Sequence, residues 1–384
     1  MPTSTIRIPT QASIGGRVRL ARDQAGLRQE DLAAHLGIPR PSVSEIEAGR
    51  RDVSSVELAK LAEYLGKPLG WFVAVGDSFD PRAWDPSAFR LRGGDLDERD
   101  TRVLLDFARR ALDYAQLEQL LGIRTGLARP PHYGERRGRH IDQGRAVAAE
   151  ERQRLGLGVQ PIADVVALLE RQGVKVLDVN MPDESRIDGA LFVSDETGPC
   201  VMLNRAKVMP RRQFTAAHEY AHLLFDIDGE QAEVCFGDRT ALAEKRANAF
   251  AAEFLSPTDG VREFLAARGK SSASVTVGDV IALQMFFNLS FDATLWRLLN
   301  LGFLDERSRE AMSRYRPTAL ARALGYEVRD ATASGAVSSR FVQLALQAWQ
   351  AGKITRGKLA ELLGIPRHEL EVGLPDTLAA LSVA

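Results

Sequence analysis

Two histidines four residues apart, His218 and His222, restrict the possible functions of this chain more than any other feature. Neither glycine nor proline occurs from Arg211 to Asp228, which favours a helix there. Residues at i and i+4 project from one face of a helix, so both imidazoles can reach a single metal ion. Glu219 lies beside them and is placed to take a proton from a metal-bound water. Two histidines satisfied by hydrogen bonds alone would show the same spacing, so a third ligand must decide.

The best candidate for that third ligand is Glu244, near the start of a second predicted helix over residues 243–255. Its face carries further residues at helical spacing, several of them small: Ala247, Asn248, Ala251 and Leu255. Glu253 lies about half a turn around the helix from Glu244, so the two acids face opposite ways. A solvated carboxylate at a helix start remains the alternative for Glu244. Weaker ligand candidates lie in the connecting loop, Glu230 and Glu233.

Longer motifs surround these residues. They are Phe214-Thr-Ala-Ala-His-Glu-Tyr-Ala-His-Leu-Leu-Phe225 and Glu244-x-x-Ala-Asn-x-Phe-Ala-Ala-x-x-Leu-x-Pro257. These segments resemble the ImmA/IrrE family of metallopeptidases over about residues 145–304. The resemblance implies a single Zn²⁺ in each chain, held by His218, His222 and Glu244, with Glu219 as the general base. The chain departs from the family's habit at two packing positions, Phe254 and Ser256.

The N-terminal part has a different organisation, in which short amphipathic helices alternate with glycine turns. Its motif is Gln29-x-x-Leu-Ala-x-x-Leu-Gly-Ile-x-x-x-x-Val-Ser-x-Ile-Glu-x-Gly49. Over residues 14–72 it resembles the λ-repressor-like Xre/Cro family of helix-turn-helix proteins. The resemblance implies a double-stranded DNA operator as partner, with the third helix in the major groove. The alternative is a four-helix module that binds another protein.

The predicted DNA contacts fall into two groups. Arg40, Ser42 and Glu45 are expected on base edges, and Pro41 can contact a thymine methyl group. Phosphate contacts are expected from Gln29, Arg50 and Arg51.

The rest of the chain completes the predicted architecture: mainly α with a small β-sheet, an α+β fold. Short strands are predicted at residues 174–179, 189–194 and 200–204, and one long core helix at 277–301. The predicted organisation has four parts: a helix-turn-helix domain (14–72), a linker and long helix (73–144), a metallopeptidase domain (145–304) and a helical region (305–384). In the last part, Leu359–Arg367 repeats the pattern of Leu32–Arg40, which favours a helical hairpin or a second helix-turn-helix unit.

Composition excludes several classes of protein. The net charge of −1 gives no overall field for nucleic acid, so DNA binding requires a local patch. Two cysteines are too few for a disulfide framework, and no apolar run approaches a membrane span, which predicts a cytoplasmic protein without a membrane partner.

Together the two resemblances predict a regulator that binds an operator and whose zinc peptidase cleaves a repressor or antitoxin-type protein, in a stress or mobile-element response. A homodimer is expected. The alternative is a transcription factor whose peptidase-like domain is only a sensor or a dimerisation module.

Overall fold

The first four helices lie where the sequence pattern predicts them. They are α1 (Gln11–Gln24), α2 (Gln29–Leu36), α3 (Arg40–Glu47) and α4 (Ser55–Tyr64). Gly37 ends α2 in the left-handed region at φ 70°, which glycine adopts without a Cβ clash. Ser54 caps α4 by accepting a hydrogen bond from the Glu57 amide. Apolar side chains from all four helices meet in one core that includes Val18, Leu32, Ile46 and Leu61.

The computed structural model describes residues 11–65, 67, 69, 72, 90–92, 98–123, 130–134, 136–181, 185, 187–194, 197–226, 233–235, 241–272, 274–327 and 339–365. Most of the predicted linker, the end of the C-terminal tail and Glu230 lie outside these residues. Contacts divide the chain into two units, residues 1–88 and 89–384.

The second unit is built on a five-stranded sheet in the order β1-β5-β3-β4-β2. The strands are β1 (Arg90–Arg92), β2 (Lys175–Val179), β3 (Gly189–Ser194), β4 (Gly198–Asn204) and β5 (Glu233–Cys235). β3 pairs antiparallel with both β4 and β5, while β2–β4 and β1–β5 are parallel. The three predicted strands are therefore present, and two short strands are added at one edge.

Helices cover both faces of this sheet. They are α5 (Glu98–Leu120), α6 (His140–Arg154), α7 (Val165–Arg171), α8 (Met209–Phe225), α9 (Ala241–Leu255), α10 (Thr258–Ala267), α11 (Val277–Phe287), α12 (Phe291–Asn300), α13 (Glu306–Ser313), α14 (Pro317–Ala323), α15 (Ser339–Gln350) and α16 (Arg356–Leu363). The chain has the predicted α+β character. None of the helices in the described ranges combines the length and apolar character that a bilayer crossing requires.

Side chains that alternate along the strands pack into two separate hydrophobic cores. Leu191 and Val201 join the core formed with α6 to α12. Phe192 and Met202 join the core on the opposite face, formed with α5, α15 and α16. This alternation follows from the two-residue period of a strand. It leaves α8, which carries the two histidines, packed on one face of the sheet.

The single core helix predicted at 277–301 is wrong, because the chain breaks it after Phe287. Asn288 takes the left-handed conformation at φ 52° and ends α11. Ser290 then starts α12 by accepting a hydrogen bond from the Ala293 amide. Two aromatic side chains of these helices are exposed, Phe286 at 41% and Trp296 at 49%.

The described part of the repeat near the C-terminus lies in α16, which packs against α15. Leu359 and Leu363 of α16 are buried, as are Phe341 and Ala345 of α15. All four lie in the core shared with α5. The described part of the repeat thus buries its apolar face within the second unit, which favours the hairpin over a second DNA-binding unit.

Gly15 and Gly16 of α1 give a matched test of the first unit. A Cβ at Gly15 would lie 1.9 Å from the Ile46 carbonyl oxygen, whereas a Cβ at Gly16 would meet nothing within 4 Å. We expect Gly15→Ala to lower the free energy of unfolding by about 1–3 kcal/mol, because the added methyl forces α1 and α3 apart. Gly16→Ala should be neutral or stabilise by up to ~1 kcal/mol. Thermal denaturation of both full-length variants measures this, and equal unfolding would contradict the close contact.

Candidate functional site

Three donor atoms converge between α8 and α9. His218 Nε2 lies 3.0 Å from His222 Nε2 and 3.2 Å from Glu244 Oε2, and His222 Nε2 lies 3.3 Å from Glu244 Oε1. Both histidines project from one face of α8, and Glu244 comes from the first turn of α9. The structure therefore brings together three residues that could hold a metal ion.

The other ring nitrogens fix the tautomer of each histidine. His218 Nδ1 lies 3.1 Å from Asn248 Oδ1, and His222 Nδ1 lies 2.6 Å from Asp226 Oδ2. Since both partner atoms are acceptors, each Nδ1 is placed to donate, which leaves each Nε2 facing the other donor atoms of the site. Two lone pairs and a carboxylate this close repel one another unless a cation or a proton lies among them. Tetrahedral zinc bonded at about 2.0–2.1 Å spaces its nitrogen donors about 3.3 Å apart, so the arrangement fits zinc.

Helix α9 supplies both a candidate ligand and two groups that orient the histidines. Asn248, one turn after Glu244, accepts from His218. Arg246 donates to Asp226 Oδ1 and lies 4.5 Å from the centre of the Phe225 ring. Burial raises the pKa of Asp226 above its ordinary value, and the charge of Arg246 opposes that shift. The carboxylate that contacts His222 is thus itself held by an arginine.

Glu219 lies on the side of α8 that faces β3, and only 6% of it is exposed. The strand begins at Gly189, where a Cβ would lie 2.3 Å from Thr215 Cγ2 and 3.5 Å from Glu219 Cγ. Only glycine lets the strand approach the helix this closely. The candidate base is therefore enclosed between the histidines and the start of a strand.

Tyr220 points away from the site into the core, although it follows Glu219 in the sequence. Its hydroxyl donates to Glu151 Oε1 at 2.5 Å, and the Tyr133 hydroxyl donates to Glu151 Oε2 at 3.0 Å. Burial raises the pKa of Tyr220. Burial also acts to raise the pKa of Glu151, but hydrogen bonds from Arg154 and the two tyrosines prevail and lower it. Tyr220 therefore anchors α8 and is not a donor at the candidate metal site.

The second acid of α9, Glu253, lies in a separate buried cluster. It accepts from Arg297 at 2.6 Å and from the Thr258 amide at 2.7 Å. These contacts occupy its carboxylate away from the histidines, as the half-turn offset from Glu244 predicts.

The predicted base contacts lie on α3. Arg40, Pro41 and Glu45 are exposed and Ser42 is half-buried, all in the first two turns of the helix. Arg40 forms an ion pair with Glu30 at 2.9 Å, with both side chains largely exposed. An exposed pair of this kind contributes little, so Arg40 can leave it for another partner.

The three predicted phosphate contacts differ in their surroundings. Gln29 Nε2 donates to Glu47 Oε2 at 2.9 Å, and Arg51 donates to Glu57 Oε1 at 2.8 Å. Arg50 is exposed. Gln29 and Arg51 thus already have partners within the helical unit.

Sequence reasoning did not identify the residues that orient the histidines. Asp226 and Asn248 lie four residues after His222 and Glu244, a spacing that could have suggested them. Arg246 carries no such signal, because its contact with Asp226 depends on how α8 and α9 pack.

Residues 18–72 match the family profile described as helix-turn-helix, and residues 169–299 match the profile described as IrrE N-terminal-like domain. An uncharacterized transcriptional regulator in the ATPase CF(0) region of Rhodospirillum rubrum is 33% identical over 84 residues, 21% of this chain and 78% of the relative. An uncharacterized HTH-type transcriptional regulator of Sinorhizobium medicae is 32% identical over 71 residues, 18% of this chain and 51% of the relative. The chain thus spans most of the first relative and about half of the second.

Two solved structures are also similar. The restriction-modification controller protein C.AhdI from Aeromonas hydrophila is 37% identical, over 16% of this chain and 94% of that one, with a TM-score of 0.16. ComR from Streptococcus suis is 13% identical, over 97% of this chain and 92% of that one, with a TM-score of 0.17. Neither TM-score supports a comparison of overall folds. On the sequence matches and the site described above, the chain belongs to the helix-turn-helix family of DNA-binding transcriptional regulators and carries an IrrE N-terminal-like, peptidase-family domain.

Proposed function

We propose that this regulator binds an operator through α3 and carries a zinc-dependent endopeptidase, whose substrate is a repressor or antitoxin-type protein. The observation that carries the proposal is the triangle of His218, His222 and Glu244, with acceptor atoms 3.0–3.3 Å apart beside the buried Glu219. A module that only binds a metal has no need of a carboxylate at the position of Glu219, which favours the enzyme.

The chemistry follows from the residues present. Zn²⁺ held by His218, His222 and Glu244 would act as a Lewis acid and lower the pKa of a water molecule toward neutrality. Glu219 would accept the proton of the attacking water and return it to the leaving amine nitrogen. Asn248 and Asp226 would keep both histidines in the tautomer that presents Nε2.

Operator binding would use the exposed side of α3. Arg40, Pro41, Ser42 and Glu45 would face base edges, and Arg50 would reach a phosphate. Gln29 and Arg51 would do so only after leaving Glu47 and Glu57. A homodimer, acting in the cytoplasm, would place two copies of α3 in major grooves one helical turn apart.

Metal binding is tested first. We expect the purified protein to hold about one zinc ion per chain, as catalytic sites of this kind do. Glu244→Ala should reduce zinc affinity strongly, because it removes one of three ligands. Glu263→Ala removes an exposed acid of α10 and is the control. Glu253→Ala should also keep zinc. It removes the buried carboxylate that pairs with Arg297, so it should lower the free energy of unfolding. Elemental analysis with thermal denaturation separates these effects, and equal zinc retention by the Glu244 and Glu263 variants would rule out Glu244 as a ligand.

DNA recognition gives a second test. Arg40→Ala should relax sequence preference by about 1–3 kcal/mol if Arg40 makes a bidentate base contact. Arg28→Ala, which removes an exposed arginine just before α2, is the control. Operator selection from a random DNA pool, followed by binding at several salt concentrations, measures both. The assignment fails if Arg40→Ala weakens binding to all sequences equally, since that is the behaviour of a phosphate contact.

The role of Glu219 separates enzyme from sensor. Glu219→Gln keeps nearly the same shape but cannot accept a proton, so the variant should keep zinc and DNA binding. Cleavage of repressors or antitoxins encoded near its gene should fall about 10²–10⁴-fold in a gel assay. His218→Ala, which removes a ligand, should abolish both zinc binding and cleavage.

The same pair of variants tests the alternative, a non-catalytic sensor or dimerisation module. If Glu219→Gln regulates as well as the wild type while His218→Ala does not, the metal site is regulatory and the endopeptidase proposal is wrong.

A further inference from the structure

A continuous run of hydrogen bonds extends from His222 away from the candidate metal site. Asp226 contacts His222 Nδ1 through Oδ2 and accepts from Arg246 through Oδ1. Arg246 Nη1 in turn donates to Gln143 Oε1 at 3.4 Å. We call Gln143, Arg246 and Asp226 the relay. It joins helices α6, α9 and the end of α8.

The far end of the relay is fixed to the backbone. Gln143 Nε2 donates to the carbonyl oxygens of Arg136 at 2.5 Å and Gly138 at 3.0 Å, in the turn before α6. That turn is therefore hydrogen-bonded, through three side chains, to a candidate metal ligand.

Because these side chains are buried, their contacts with one another fix their positions. Gln143 is 4% exposed, Arg246 6% and His222 1%. Groups so buried cannot exchange a lost partner for water, so each contact restricts the next. The neighbouring Gly144 lets the helices come this close, since a Cβ there would lie 2.3 Å from the Arg246 carbonyl oxygen.

We propose that Arg246 and Gln143 are positioning residues. Acting through Asp226, they hold His222 in the orientation that binds the metal, and so they raise the metal affinity of the site. The proposal rests on the metal site proposed above. A carboxylate held at both oxygens cannot rotate, so it fixes the plane of the His222 ring and keeps hydrogen on Nδ1. Without Arg246, Asp226 is free to turn toward solvent, and His222 then samples orientations in which Nε2 misses the metal. Gln143 acts on Arg246 through one long contact, so its effect is smaller.

The test uses the full chain and zinc alone. Arg246→Met should weaken zinc binding about 10–100-fold, the usual effect of removing a group that orients a ligand. Gln143→Leu should weaken it less, and Arg246→Lys should restore part of the loss because it keeps a charge near Asp226. Affinity is measured by competition with a chelator. The absorption spectrum of the Co²⁺ form reports ligand geometry and should change with Arg246→Met.

The matched control is Arg297→Met, which removes another buried arginine with a carboxylate partner, Glu253, in the same unit. It should lower the melting temperature of the metal-free protein yet leave zinc affinity unchanged. If Arg297→Met weakens zinc binding as much as Arg246→Met, the effect is general loss of stability and the proposal is overturned. Should Arg246→Met not fold, the zinc affinities of Arg246→Lys and Gln143→Leu are compared with that of Arg297→Met instead. Equal weakening by all three variants would overturn the proposal.

Failure of the relay and failure of the metal site give different results. If His218→Ala binds zinc like the wild type, the site itself is wrong. If His218→Ala loses zinc while the Arg246 and Gln143 variants bind it normally, the site stands and the relay is wrong.

Discussion

The close approach of α8 and α9 is the interaction on which the candidate metal site depends. It brings two imidazole Nε2 atoms and a carboxylate within 3.3 Å of one another, an arrangement that a cation among them would stabilise. The protein holds the two histidines in place through the contacts of their Nδ1 atoms with Asn248 and Asp226. Helix α9 does much of this, since Glu244, Arg246 and Asn248 lie within five consecutive residues and act on both histidines.

Packing behind the site explains why that approach is possible. Small residues let the helices lie together: Ala217 and Ala221 on α8, Ala247 and Ala251 on α9, and Gly144 on α6. The sheet supports α8 from below, and its other face is covered by α5 and the C-terminal hairpin. Residues distant in sequence thus pack on one sheet from both sides.

The helix-turn-helix unit depends on a comparable internal anchor. Glu47, buried at the end of α3, accepts from Arg22 at 2.6 Å and from Gln29 at 2.9 Å. These bonds join α3 to α1 and α2 and fix the angle at which the exposed side of α3 is presented. Gln29, expected from sequence to face a phosphate, is part of this anchor. A buried charge of this kind is costly unless it is paired, and Arg22 and Gln29 supply that pairing.

Sequence by itself determined the helices of the first unit, the three central strands of the sheet, and which residues are candidates for the site. The spacing of His218 and His222 depends only on the helical repeat, and the strand pattern at residues 174–204 only on alternation. Local rules also separate Glu244 from Glu253, because half a helical turn separates their directions. The exact break at Asn288 was missed, since a left-handed residue in an apolar run leaves no periodic signal. Only the tertiary structure decided that Arg246 and Gln143 reach His222 through Asp226, and that α15 packs on α5. Those contacts are set by how whole helices pack, and sequence spacing within one element carries no information about the side chain that will lie opposite it.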